Sequence, residues 1–103
     1  MPALPSGLNR LGCDNNQLTF LPALPSGLTT LTCNENQLTA LDVSKNTELT
    51  SLDCSFNTLT SLSISENKSL RSLTSNYNAK NSIYISNKNV LFTLWTDIYS
   101  TQT

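Results

Sequence analysis

Histidine is absent from this sequence, and charged side chains make up only 13% of its 103 residues. With no imidazole and only seven Asp and Glu along the chain, the side chains that most often act as general bases and metal ligands are scarce. Six Lys and Arg and a net charge of -1 give no positive field for nucleic acid or an anionic membrane surface. No apolar run approaches the roughly 20 residues that span a bilayer. We therefore expect no catalysis, no cofactor, no nucleic-acid partner and no membrane insertion.

Leu, Asn, Ser and Thr are in excess, because the chain has 18 Leu, 13 Asn and 28 Ser and Thr. Such a bias indicates internal repeats. Residues 4–19 match residues 24–39 at an offset of 20, and the frame continues at an offset of 21 through 49–59 and more weakly through 70–78. Each copy reads L-x-x-L-x-[C/S]-x-x-N. A second, nested set lies half a period away: Leu38, Leu41, Val43 and Asn46, then Leu59, Leu62, Ile64 and Asn67, then Ile83 and Ile85.

This nested pattern resembles the leucine-rich repeat family, whose signature is L-x-x-L-x-L-x-x-N-x-L. The resemblance covers residues 4–78 strongly and 79–96 weakly. The opening units resemble the short repeats of Gram-negative secreted effectors, whereas residues 41–46 and 52–57 are more similar to repeats of bacterial surface proteins. The resemblance implies a right-handed repeat solenoid with a protein partner on its sheet. It also implies a secreted or cell-surface bacterial protein, although we recognise no signal peptide in this chain.

The spacing alone predicts short strands. Apolar residues at every second position, as at Leu11 and Cys13, recur once per 20 or 21 residues and stack into a parallel sheet. Two arms of about ten residues leave no length for a regular helix. The second arm is expected to be extended, polyproline-like where Pro22 occurs, or a short strand where Val43 and Ile64 are β-branched.

We predict a single leucine-rich-repeat domain over residues 1–103, with repeats 1 to 4 at about 4–23, 24–44, 45–65 and 66–86. Residues 87–103 are expected to form a C-terminal cap, with a last strand through Leu94 favoured over a helix and Trp95 favoured as a capping residue over an exposed anchor. The N-terminal edge has no cap and leaves Leu4 and Leu8 open. We therefore expect the chain to be part of a larger protein, or this edge to meet a partner.

Two sets of residues share the repeat period. Asn16, Asn36, Asn57 and Asn78 are predicted to form an inward ladder that bonds the backbone of the bends above and below each of them. Cys13, Cys33 and Cys54 are predicted to be buried free thiols, because their spacing equals the repeat. Cβ vectors that point the same way from adjacent strands disfavour a disulfide, and zinc usually takes paired Cys or His ligands that this chain lacks.

Outward positions beside the strand leucines form a flat and mostly small polar face. If a partner binds the sheet, as the resemblance implies, its candidate contacts are Arg10, Asp14, Thr30, Thr32, Asn34, Ser51, Asp53, Ser55, Ser72, Thr74 and Asn76. The alternative is that these residues only keep the sheet soluble.

Three hypotheses for function follow. The first is a non-catalytic protein-recognition module that works through this face. The second is a structural solenoid that stacks or weakly self-associates through its bare N-terminal edge. The third is the recognition domain of a larger secreted effector, with a catalytic domain elsewhere in the parent protein.

Overall fold

A four-stranded parallel sheet organises the chain. The structure is a computed structural model that describes residues 2–75, 77 and 78. The strands follow one another in the sheet in chain order: β1 Arg10–Gly12, β2 Thr30–Thr32, β3 Ser51–Asp53 and β4 Ser72–Thr74. Leu11, Leu31, Leu52 and Leu73 are directly paired across the sheet. No helix occurs within the described residues, so the predicted sheet, its register and the absence of helix there are confirmed.

The core consists of columns of apolar side chains, each with one member per repeat. The middle residue of each strand points inward, and the next inward position is a Cys in repeats 1 to 3 and the buried Ser75 in repeat 4. Repeats 2 to 4 bury their strand leucines almost completely, whereas Leu11, in the first strand of the sheet, stays half-buried. Further columns complete the core: Leu28, Leu49 and Leu70, then Leu38 and Leu59, then Val43 and Ile64.

The Asn ladder links each repeat to the one before it. The Asn57 amide nitrogen donates to the carbonyl of Cys54 in its own repeat at 3.1 Å and to that of Cys33 in the preceding repeat at 3.0 Å. Its Oδ1 accepts the N–H of Leu38, also in the preceding repeat, at 3.0 Å. Asn36 and Asn78 repeat this arrangement. The ladder is therefore present, but its bonds reach the preceding repeat and not both neighbours as expected.

The second arm forms turns at Val43 and Ile64, where a short strand was one of the expectations. The N–H of Asn46 donates to the carbonyl of Val43 at 3.0 Å, and the N–H of Leu49 donates to that of Asn46 at 3.1 Å. The same two bonds recur 21 residues later at Ile64 and Asn67. These N–H groups close turns within their own repeat and so do not form a strand ladder. The repeats are linked here by side chains instead, because the Asn67 amide donates to the carbonyls of Val43 and Asn46 in the preceding repeat, both at 2.9 Å. The β-branched side chains of Val43 and Ile64 are buried all the same.

The expectations for the C-terminal region lie outside the described residues. They comprise the cap over 87–103, the last strand through Leu94, the role of Trp95 and the candidate contact Asn76.

We predict that Leu52→Ala lowers the free energy of unfolding by about 2 to 5 kcal/mol, because it empties a fully enclosed slot between two strands. Leu11→Ala is the matched control, since it makes the same change in the same column at a half-buried position. Urea unfolding of both variants measures the difference. Equal losses at the two positions would contradict the assigned burial.

We predict that Asn57→Ala destabilises the chain by about 3 kcal/mol, because it leaves several buried backbone groups without a partner. Asn16→Ala should cost much less, since the Asn16 amide nitrogen bonds only carbonyls of its own repeat. Denaturant midpoints of the two variants provide the test. A cost for Asn57→Ala no larger than that for Asn16→Ala would show that the bonds between repeats contribute little.

Candidate protein-binding surface

The outward face of the sheet contains most of the predicted contact residues. Two columns run across the four strands. The first contains Arg10, Thr30, Ser51 and Ser72, and the second contains Gly12, Thr32, Asp53 and Thr74. The end members Arg10 and Ser72 are exposed, and Thr30, Thr32, Ser51, Asp53 and Thr74 are half-buried. We call these two columns the sheet face. Their side chains are short apart from Arg10, which leaves the face flat.

Just beyond the strand ends, a hydrogen-bond network links the predicted contact residues Asp14 and Asn34 to Asp53 of the second column. The carboxylate of Asp14 accepts the backbone N–H of Asn34 at 3.0 Å, and the Asn34 amide donates to Asp53 at 2.9 Å. The other oxygen of Asp53 accepts the N–H of Ser55 at 3.1 Å. These side chains therefore hold neighbouring repeats in register as well as bordering the face.

Ser55 does not point outward as predicted. Its side chain is buried, with 4% of its surface exposed, so the candidate contact at this position is corrected. The strand ends at Asp53, and the alternation of inward and outward side chains ends with it. The Ser55 carbonyl accepts the N–H of Glu35 and the amide of Asn57, so the backbone turns towards the core at this residue.

A fourth column, missed by the sequence analysis, borders the sheet face. It contains Asn15, Glu35, Phe56 and Tyr77, and we call it the turn ridge. All four residues have φ between 56° and 59°, the left-handed region that non-glycine residues seldom adopt. Asn is among the residues that tolerate this region, whereas Phe and Tyr are poor choices for it. The column has the same period as the Asn ladder, and this spacing is the signal that could have revealed it.

The aromatic half of the turn ridge is a stacked pair on the surface. The rings of Phe56 and Tyr77 lie with their centroids 4.5 Å apart and their planes 16° from parallel. Half or more of each side chain is exposed, 50% for Phe56 and 59% for Tyr77. In the other half, the Asn15 amide, with its nitrogen turned towards Glu35, donates to that carboxylate at 2.7 Å. The ridge is thus polar beside repeats 1 and 2 and aromatic beside repeats 3 and 4.

The three thiols lie in the core, as predicted from their period. Cys13, Cys33 and Cys54 are free and buried. Burial raises the pKa of Cys54 to about 12, with a further contribution from the charge of Asp53. Burial also raises the pKa values of Cys33 and Cys13. At Cys13 the nearby charge of Asp14 raises the pKa further. Such thiols are protonated at neutral pH and poor nucleophiles.

A groove of about 410 Å³ lies on the second arm, where the 20-residue spacing changes to 21. Its lining is mainly apolar, with Asp42, Lys45 and Asn46 as the polar members. Two of these are already engaged: the hydroxyl and N–H of Ser44 bond Asp42 and lower its pKa, and Asn46 donates to the Pro25 carbonyl at 2.8 Å. The groove therefore has few unpaired polar groups with which to select a small ligand.

Two further kinds of feature are absent from the part of the chain that the structure describes. No group of three or more Cys, Asp and Glu side chains in residues 2–75, 77 and 78 is placed to hold a metal ion. The same residues include no helix with the length and apolar character needed to cross a membrane. The described surface that combines polar side chains with a stacked aromatic pair is the sheet face together with the turn ridge.

We predict that stability falls as the pH rises above about 8.5, the ordinary thiol pKa, which applies in the unfolded chain. There the unfolded state loses thiol protons that the folded state keeps, because the folded pKa values of Cys33 and Cys54 are raised. Each of these buried thiols should cost on the order of 2 kcal/mol by pH 10. Urea unfolding at neutral pH and at pH 10 measures this loss.

Thiol labelling under native conditions gives an independent check. Cys13 should react first, because it is the most exposed of the three and lies in the edge repeat, and Cys33 and Cys54 should react only on unfolding. Rapid native labelling of all three, or a pH-independent free energy of unfolding, would contradict their burial.

Comparison with known proteins gives no relative from which a function could be transferred. The chain matches no protein-family model, no curated protein and no solved structure.

Proposed function

We propose that the chain is a right-handed leucine-rich-repeat solenoid that acts, without catalysis, as a protein-recognition module. Strands in chain order, parallel and 20 or 21 residues apart, support this architecture, because each connection must return to the same end of the sheet. Connections between neighbouring parallel strands are almost always right-handed. The partner binds on the sheet face, with the aromatic pair of the turn ridge as its anchor.

The observation that carries this proposal is the position of Phe56 and Tyr77. Both occupy left-handed backbone positions that are unfavourable for bulky side chains, and neither contributes its ring to the core. Stability alone would favour Asn or Gly at such positions, as Asn15 illustrates in repeat 1. Unfavourable backbone conformations of this kind are concentrated at functional sites. Aromatic side chains are also the most frequent energetic anchors of protein interfaces.

The chemistry of the surface favours a protein over other partners. The sheet face offers hydroxyl groups that donate and accept hydrogen bonds, and Arg10 and Asp53 supply one charge of each sign. An apolar anchor next to a polar surround is the usual composition of a protein interface. The two stacked rings offer a rigid apolar surface to a partner. Binding there costs little conformational entropy, because each ring already restricts the other.

A phage-displayed library of random peptides, selected on the immobilised chain, tests this function. We expect the dominant peptides to bind Phe56→Asn at least about tenfold more weakly, because an interface anchor is lost. Phe20→Asn is the matched control, since Phe20 is 65% exposed but lines the groove on the second arm. Peptides that tolerate Phe56→Asn and lose affinity with Phe20→Asn would place binding in the groove and overturn the proposal.

The same variant separates binding from stability. Phe56→Asn removes a ring stack worth about 0.5 to 1.5 kcal/mol but relieves a backbone cost of about 1 to 2 kcal/mol. We therefore predict a change in the free energy of unfolding within about 1 kcal/mol, measured by urea unfolding. A large loss of stability would mean that the ring is retained for packing and not for recognition.

A further inference from the structure

The open edge of β1 has a regular set of backbone groups that point away from the sheet. Among the described residues, β1 pairs only with β2. The N–H groups of Cys13 and Asn15 donate to carbonyls of repeat 2, so the odd-numbered residues face β2. In a parallel ladder the intervening residues face the other way. The N–H and C=O groups of Arg10, Gly12 and Asp14 therefore point away from β2, in the geometry that a further strand requires. The Asp14 carbonyl accepts the Asn16 amide at 3.0 Å and keeps a second lone pair for a strand partner.

The apolar layer beneath this edge is incompletely covered. Leu8, Leu11 and Leu18 are half-buried, whereas their equivalents one repeat later, Leu28, Leu31 and Leu38, have no exposed surface. Within the described residues, no other part of the chain covers these three side chains as fully as the next repeat's are covered. A second molecule at this edge would bury the remaining leucine surface together with the backbone groups.

We propose that this edge pairs with the same edge of a second copy of the chain, antiparallel to it, about a twofold axis at Gly12. In that register Gly12 lies opposite Gly12 of the second copy, and Arg10 lies opposite Asp14. Because of the twofold axis, the pair of Arg10 and Asp14 occurs twice in the dimer. Both pairs lie on the outward face of the sheet, where these side chains point. Arg10 makes no ion pair within the described residues, and the Asp14 oxygen that does not bond Asn34 remains for it.

The sequence of the edge selects this register over its alternatives. Because the even-numbered residues present the free backbone groups, the pairing can shift only in steps that keep them opposite one another. A shift of two residues takes Arg10 away from Asp14. A shift of four places either two Arg10 or two Asp14 side chains opposite each other, and like charges in that position are unfavourable. On the inward face, Leu11 meets Cys13 of the second copy, so apolar side chains also lie opposite apolar ones.

The size of the edge sets the strength of the pairing. One short strand and one layer of leucines bury less than the roughly 800 Å² per partner of a stable complex. We therefore expect a weak dimer that forms in the micromolar range or above. The assembly stops at the dimer, because the β1 edge of each copy is occupied by the other copy. Head-to-tail stacking of copies would instead continue into longer assemblies.

Charge reversal at the edge tests the proposal in the full chain by sedimentation equilibrium over a micromolar concentration series. Arg10→Glu places Glu opposite Asp14, and we expect dimerisation to weaken at least about tenfold. Lys68→Glu makes the same change in net charge at an exposed residue of repeat 4 and should leave the dimer unchanged. Asp14→Lys should also weaken the homodimer, and an equimolar mixture of Arg10→Glu and Asp14→Lys should regain it as a heterodimer.

A cysteine on the twofold axis tests the register directly. Gly12→Cys should be cross-linked into a dimer by a short bifunctional maleimide, because paired residues at the axis lie about 5.5 Å apart. The added Cβ approaches only the Thr32 hydroxyl, at 3.3 Å. Thr32→Cys occupies the same column one strand further in and should stay monomeric. This experiment does not depend on Asp14, whose substitution also removes the acceptor for the Asn34 N–H.

Three results would overturn the proposal. They are a strict monomer at every concentration, growth beyond the dimer that Arg10→Glu does not alter, and equal cross-linking of Gly12→Cys and Thr32→Cys.

Discussion

Each inward Asn amide completes hydrogen bonds that the backbone around it cannot complete alone. The strands are only three residues long, and the chain turns sharply after each of them. Such turns direct N–H and C=O groups towards the core, where an unpaired group is costly. The Asn36 and Asn57 side chains bond carbonyls of two repeats and one N–H of the preceding repeat, so they satisfy these groups and join the repeats in one arrangement. These bonds fix the position of each repeat's backbone, and the strand leucines then stack in one column.

The ladder also explains why one surface column has the same backbone conformation in every described repeat. For the amide to reach inward at Asn57, the residue before it adopts a left-handed backbone, and its side chain is directed to the surface. That position is thus outside the core in every described repeat, but always at the border of the sheet face. Asn15 and Glu35 occupy it with polar groups, whereas Phe56 and Tyr77 occupy it with rings. A fixed structural requirement therefore produces a surface column whose chemistry is free to differ between repeats.

Much of the sheet could be predicted because its signals repeat. The register of Leu31 with Leu52 and the burial of Cys33 follow from a spacing that is visible in the sequence. The burial of Ser55 could not be obtained by alternation, because alternation holds only while the strand lasts. The turns at Val43 were misjudged as a strand option because β-branched residues suit any enclosed position, not strands alone. The stack of Phe56 on Tyr77 depends on a backbone angle that residue type alone argues against.

The one-way direction of the Asn ladder has a consequence for synthesis of the chain. The Leu18 N–H is bonded by Asn36, the Leu38 N–H by Asn57 and the Leu59 N–H by Asn78. Each repeat thus receives its last hydrogen bonds from residues about 20 positions later in the chain. On the ribosome, a repeat that has just left the exit tunnel is incomplete until the next one follows. We therefore expect folding of the nascent chain to lag translation by at least one repeat, because the newest repeat still lacks the amide oxygen that accepts its N–H group.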